Sequence, residues 1–188
     1  MIGLGTKLYE SEHLLMTPVD LDQDPAVVSE WTLNMSFAQW LSEDPALPMA
    51  AYELKRMYEK QLKEADENGR KFYFAIRRKE EKTLAGFIRF PYVVWVENFG
   101  NLHLDVPDSE TLQQYGSEIL HMALDYAFRE LNLFVVSVRV AEYDATLRSL
   151  LLQTGFQQDV CMREAIYRNG RYWDQLIFTI QSSDWLKA

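Results

Sequence analysis

Residues 101–116 read NLHLDVPDSETLQQYG and run on into SEILHMALDYAFREL, residues 117–131. The first six residues have the character of a strand. Pro107, Asp108 and Ser109 interrupt it with turn chemistry, and a long amphipathic helix follows. In that helix Leu120, Ala123, Leu124, Ala127, Phe128 and Leu131 recur at helical spacing, with Glu118, Asp125, Arg129 and Glu130 between them. Residues 134–141, FVVSVRVA, then read as a second strand. A strand that feeds through a loop into a helix start presents unpaired backbone N–H groups, the arrangement that receives a phosphate. The unit therefore predicts strand, helix, strand, with an anion-binding site where the helix begins.

On its N-terminal side, residues 7–16 alternate as a first strand whose apolar members are Leu8, Leu14 and Leu15. Asp24 caps a helix over residues 25–34, with Pro25 at its first position. Residues 36–41 are ambiguous and carry Phe37 and Trp40. Pro45 and Pro48 break the chain before a helix over residues 50–68, which Gly69 ends. Residues 71–77 and 84–90 pair as a hairpin, and residues 92–97 and 100–106 continue the sheet. On the C-terminal side, residues 144–153 form a short helix stopped by Gly155. Residues 160–168 and 171–180 pair about the Asn169-Gly170 turn. No repeat or linker divides the chain. The expectation is one α+β domain over residues 1–188: a mixed, mostly antiparallel sheet of about seven strands flanked by helices.

The 28 acidic and 19 basic residues give a net charge of −9, which argues against a nucleic-acid surface and would favour cationic substrates such as amines. One cysteine, Cys161, excludes an internal disulfide and suits a reducing cytoplasm; its place in a strand predicts a buried, inert thiol. Residues 1–20 carry charges and no apolar run, so no signal peptide is expected. The longest apolar run, residues 90–96, is far short of a membrane span.

The order of elements resembles the GNAT N-acetyltransferase superfamily, and within it the branch of ribosomal-protein N-terminal acetyltransferases. The residues that carry this are Gly116-Ser-Glu-Ile-Leu with Tyr126-Ala-Phe128, then Gly155-Phe156, Arg163-Glu164-Ala165, residues 169–174 (NGRYWD) and Ser183-Asp184-Trp185. The resemblance implies a sheet whose fourth and fifth strands, here residues 100–106 and 134–141, splay apart. Acetyl-CoA would lie in the resulting V, its pantetheine on the backbone of Leu104, Asp105 and Val106. Its pyrophosphate would sit on N–H groups of the loop Thr111, Leu112, Gln113, Gln114, Tyr115 and Gly116. That loop departs from the family pattern, which has Arg or Gln first and glycines at the fourth and sixth places. Only Gly116 remains, and the loop holds no cation. Where the family has an asparagine and, seven residues later, a tyrosine that protonates the leaving thiolate, this chain has Asp144 and Leu151.

Acetyl transfer needs a deprotonated amine, and a carboxylate near the site would serve as base. Glu97, at the approach to the fourth strand, is the first candidate, and Glu142, just past the fifth, is the second. Tyr143 or Tyr167 would replace the missing tyrosine, and Arg148 would reach a CoA phosphate. Trp31, Phe37, Trp40 and Tyr52 would wall the acceptor side. His103 and His121 lack metal-ligand spacing, so no metal is expected. The expectation is an N-acetyltransferase for a primary amine, either a peptide N-terminus or a small molecule, with a homodimer possible. The alternative is a GNAT-fold binding module without catalysis.

Overall fold

Seven runs of alternating or continuously apolar sequence pair into one sheet, and the computed structural model describes them through residues 9–35, 37 and 46–187. The strands are β1 (Leu14–Thr17), β2 (Phe72–Arg78), β3 (Leu84–Val94), β4 (Phe99–Asp105), β5 (Val135–Ala141), β6 (Gln157–Arg168) and β7 (Arg171–Gln181). Their order across the sheet is β1-β2-β3-β4-β5-β7-β6. Every neighbouring pair is antiparallel except β4 and β5, which are parallel. The helices are α1 (Asp24–Trp31), α2 (Ala51–Asn68), α3 (Ser109–Asp125), α4 (Ala145–Gln153) and a closing turn, α5 (Ser182–Trp185). Among the described residues no helix is long and apolar enough to cross a membrane.

β3 is one strand where the sequence suggested two, residues 84–90 and 92–97. Pro91 does not end it, because the register with β4 slips between Arg89 and Tyr92, and such an irregularity is where a strand tolerates a proline. Residues 95–98 are then a turn. At the N-terminus the strand begins at Leu14; residues 1–8 and Trp40 lie outside the described residues.

Two apolar clusters sit on opposite faces of the sheet. Leu102, Leu104, Ile88 and Phe90 pack with Ile119, Leu120 and Leu124 of α3. Ala75 and Phe87 pack with Val28 of α1, Leu54 and Tyr58 of α2, and Phe37. The alternation along β4 follows directly: Leu102 and Leu104 belong to the α3 face, leaving Asn101, His103 and Asp105 on the other.

α3 ends in a single π turn, Tyr126–Glu130, in which the Leu131 N–H donates to the Tyr126 carbonyl at 3.1 Å. That turn places the Tyr126 ring 4.7 Å from Phe74, with Phe72 and Phe90 close by. Burial raises its hydroxyl pKa to about 12.

β4 and β5 share only three register pairs, Phe99 with Val135, Gly100 with Val136 and Asn101 with Ser137. Beyond them the strands part. At the parting point the buried Asn101 Nδ2 donates to Ser137 Oγ at 3.1 Å. A sheet opened this way carries two strand edges facing each other across a cleft.

Candidate acetyl-CoA and acceptor cleft

The cleft between the parted strands has a volume of about 890 Å³. Its walls are residues 101–105 of β4 with Val106 after it, and residues 138–141 of β5. Tyr143, Asp144 and Leu147 at the start of α4, residues 165–168 of β6, Pro91-Tyr92 of β3, Ala46, Leu112 and Gln175 also line it. This is enough for an extended chain and a small second reactant.

Leu104, Asp105 and Val106, the expected pantetheine positions, all lie on this wall. Asp105 is buried and held in an ion pair with Arg89 of β3: Arg89 Nη2 donates to Asp105 Oδ1 at 2.7 Å and Nε lies against Oδ2. Burial works against the guanidinium charge, but Asp105 outweighs it and raises the Arg89 pKa.

Residues 111–116 are not a loop. α3 already begins at Ser109, and all six residues lie within it. Glu110, Leu112, Gln113 and Gln114 are good helix formers, and without a glycine at 114 nothing holds the backbone open. Asp108 completes the winding as N-cap, its Oδ1 accepting from the Thr111 N–H at 2.7 Å. The Leu112 N–H is taken by the Asp108 carbonyl. The N–H groups of Thr111 and Leu112 are therefore spent at the helix start, where the cap places a carboxylate. Of the six residues only Leu112 lines the cleft. Gln113 and Gln114 are exposed, and Tyr115 lies under the Arg78 guanidinium. Gly116 has a packing role: a Cβ there would stand 2.5 Å from Leu150 Cδ2 of α4.

The catalytic candidates separate. Tyr143 lines the cleft; its hydroxyl accepts from Arg168 Nη1, and its ring stands edge-on to Trp173 at 5.2 Å. Glu97 lies in the exposed turn before β4, at the end where β4 and β5 are still paired, and does not line the cleft. Glu142 is exposed and also lies off it, its Oε2 accepting from the Asp174 N–H at 3.2 Å. Asp144 lines the cleft but caps α4, accepting from the Leu147 N–H at 3.0 Å; burial raises its pKa. Arg148 turns away, its Nη1 donating to the Glu142 carbonyl at 3.1 Å. Leu151 is wholly buried in the core, so this position does not face the cleft at all.

Of the expected aromatic wall, Trp31, Phe37 and Tyr52 do not line the cleft. Trp31 and Phe37 pack edge-on at 5.4 Å under α1, while Tyr52 is 65% exposed on α2. Cys161 is exposed, not buried: β6 is a sheet edge with almost every residue open to solvent. Its thiol donates to Asp174 Oδ2 at 3.2 Å, the main cause of its raised pKa. The structure also brings in residues that the sequence did not assign to the site. His103 of β4, Arg139 of β5 and Arg168 of β6 all line the cleft. The signal for His103 was present in the polar alternation of 101, 103 and 105.

The profile of the acetyltransferase (GNAT) domain matches residues 13–157, and the chain belongs to that family, whose co-substrate is acetyl-CoA. Among relatives, the uncharacterised N-acetyltransferase YoaA of Bacillus subtilis is 24% identical over 107 residues, 57% of this chain and 60% of its own length. The spermidine N(1)-acetyltransferase of Vibrio cholerae is 24% identical over 131 residues, 69% of this chain and 73% of its own. The Vibrio spermidine N-acetyltransferase solved with CoA and spermine superposes with a TM-score of 0.79 at 20% identity, covering 94% of this chain and 99% of that one. A dodecameric form of the Vibrio enzyme gives 0.75 at 20% identity, over 94% of this chain and 98% of that one. These likenesses establish the fold. They do not single out the ribosomal-protein branch suggested by the sequence.

Proposed function

We propose that the protein is an acetyl-CoA-dependent N-acetyltransferase acting on the primary amine of a small molecule by direct attack. The observation that carries this is the open edge of β4, residues 102–105, facing a cleft of about 890 Å³ in a chain of this family. Backbone groups of Leu104, Asp105 and Val106 would hold the pantetheine and polarise the thioester carbonyl. Tyr143 stands in the cleft as the hydroxyl nearest in kind to the family's proton donor. A thiol of ordinary pKa about 8.5 leaves without much help, so this proton is an aid and not a requirement. A small amine is favoured by the spermidine acetyltransferase among the relatives. Residence in a reducing cytoplasm, and self-association through the exposed β6 edge with Val160 and Met162, belong to the same proposal.

A second reading has its own observation. The winding of residues 111–116 into α3, with Asp108 on the Thr111 N–H, removes the backbone phosphate cradle, as suits a binding module without turnover. One pair of measurements decides. Acetyl-CoA at a hundredfold excess over its Kd should raise stability by about 2.7 kcal/mol in a thermal melt. Thiol release across a panel of amines and peptides should then identify the acceptor. No melting shift at millimolar acetyl-CoA refutes the enzyme; a shift without thiol release supports the module.

A further inference from the structure

The order β5-β7-β6 puts β6 two strands away from the opening, yet residues 165–168 near its end line the cleft. A bulge brings them there. Met162 pairs with Gln175 but Ile166 with Trp173, so four residue steps on β6 answer two on β7. Within the surplus Glu164 takes φ 52, the left-handed region that a glutamate enters only under constraint. Asp174 of β7 supplies the constraint: its Oδ1 accepts from the Glu164 N–H at 2.8 Å and its Oδ2 from the Cys161 thiol at 3.2 Å. The Asp174 carbonyl in turn accepts from the Glu142 N–H, just past β5, at 2.9 Å. A bulge bends its strand and re-aims the side chains beyond it.

Arg168 is the charged residue that this bend delivers. Its guanidinium stands 5.0 Å from the Tyr143 ring centroid, and its Nη1 donates to the Tyr143 hydroxyl. That seating fixes the guanidinium plane and uses one of its several N–H donors. Arg139 of β5 lines the same cleft and is exposed. Val136, Val138 and Val140 belong to the α3-side core, so Arg139 lies on the face away from α3. Among the described residues, arginines pair with carboxylates at Arg77–Asp24, Arg78–Glu81, Arg89–Asp105 and Arg129–Asp125. Arg139 and Arg168 are in none of these pairs. Both described carboxylates of the cleft wall are taken, Asp105 by Arg89 and Asp144 by the Leu147 N–H. A chain of 28 acidic and 19 basic residues thus turns two cations without an acid into its cleft.

We propose that the acceptor amine also carries an oxyanion group, a carboxylate or a phosphoryl, which Arg139 and Arg168 hold; this rests on the acetyltransferase reading above. Guanidinium groups without an acid partner take such oxygens in bidentate, charge-assisted hydrogen bonds. The amine end of the same molecule then lies free to meet the thioester at the open edge of β4. Arg139 stands away from α3, whereas a pyrophosphate at the α3 start would lie on the α3 face, so the two cations serve the acceptor and not the co-substrate. The acceptor class is thereby narrowed. A polyamine carries further ammonium groups, which two guanidinium groups repel.

The test compares length-matched primary amines on the intact chain: aminocarboxylates, aminoalkyl phosphates, their uncharged amides or alcohols, and diamines with spermidine. The wild type should favour an anionic amine over its uncharged counterpart by roughly 10–150-fold in kcat/KM, the span of a hydrogen bond to a charged group. Whether aminocarboxylate or aminoalkyl phosphate leads names the oxyanion. The preference should shrink as salt rises, because solvent reaches the pairing. Arg139→Gln and Arg168→Gln should each collapse this ratio, mainly through KM. The ratio does not depend on how much of a variant folds. Nor does it depend on any change that Arg168→Gln makes at Tyr143, which would act on both amines alike. Diamine or spermidine turnover equal to or above that of the anionic amines overturns the inference and leaves the acetyltransferase reading intact. An unchanged ratio in either variant does the same. Loss of the acetyl-CoA melting shift in a variant that still melts cooperatively also overturns it, because the cation then serves the co-substrate. A wild type that binds no acetyl-CoA overturns both.

Discussion

Replacing Asp105 by Asn keeps the shape of the β4 wall and removes one charge from a buried pair. The Asp105 and Arg89 side chains are only 5% and 12% exposed, and the Nη2–Oδ1 contact is 2.7 Å. At about 4 Å between charge centres and an effective dielectric near 20, their attraction is about 4 kcal/mol. Neither charge can relax into water, so the guanidinium left in Asp105→Asn is uncompensated, and breaking such a pair costs roughly 3–5 kcal/mol. In a domain of this size each kcal/mol moves Tm by roughly 2–4 °C, giving a fall on the order of 10 °C. Urea denaturation should show a lower midpoint at unchanged m. Arg89→Met alone should cost a similar amount, because it strands the carboxylate. The double variant Arg89→Met/Asp105→Asn should cost clearly less than the sum, since neither charge is then buried alone. A cost below about 1 kcal/mol for Asp105→Asn, or strict additivity in the double variant, would refute the reasoning.

Asp108→Ala should lower stability by about 1 kcal/mol through the lost N-cap on Thr111, and acetyl-CoA titration should show binding no weaker, since a carboxylate leaves the helix start. Leu151→Tyr should destabilise by roughly 1–3 kcal/mol and leave kcat unimproved, because position 151 faces the core; a gain in thiol release would contradict the placement. His13 Nδ1 and the His13 N–H both meet the Glu118 carboxylate, as does the Ser11 hydroxyl, tying the first strand to α3. The Glu118 hydrogen bond raises the His13 pKa, so its contribution is full below about pH 6.5 and is lost as pH rises through the raised folded value. Burial opposes ionisation of Glu118, but the Ser11 and His13 hydrogen bonds outweigh it and lower its pKa. Its contribution is present above about pH 4.3 and lost as pH falls through the lowered folded value. His13→Ala should therefore matter most near pH 5–6 and least near pH 8, as chemical denaturation at each pH will show.

The sheet was legible because its strands obey a two-residue period and its helices a 3.6-residue one. The β4–α3–β5 unit followed from the helical spacing of Leu120, Ala123, Leu124, Ala127, Phe128 and Leu131 between two strand-like runs. The helix start was misjudged for a physical reason: turn residues at 107–109 mark a boundary without saying how soon a helix begins. A carboxylate at 108 and helix formers at 110–114 pull it forward by several residues. Leu151 was matched through the family resemblance to the tyrosine position, whereas in this fold it shares a core with Phe156 and Leu120. Side-chain destinations across the sheet were the least legible. Nothing local in residues 157–168 tells an edge strand from a covered one, so Cys161 was read as buried. Glu97 and Glu142 flank strands that line the cleft without reaching it. His103 was weighed only as a metal ligand; the polar alternation of 101, 103 and 105 gains meaning once β5 is known to leave β4.

The Asn101–Ser137 contact marks the last rung before that departure, and with it only three residue pairs join β1–β4 to β5–β7 within the sheet. Mechanically this is a tweezer with a short pivot. A molecule lodged between the arms would brace them at a distance from the pivot, where leverage is greatest. Amide exchange at residues 99–101 and 135–137 should then slow on loading, even though a ligand in the cleft lies largely beyond those amides. The pivot thus reports from within the sheet on what the open edges hold.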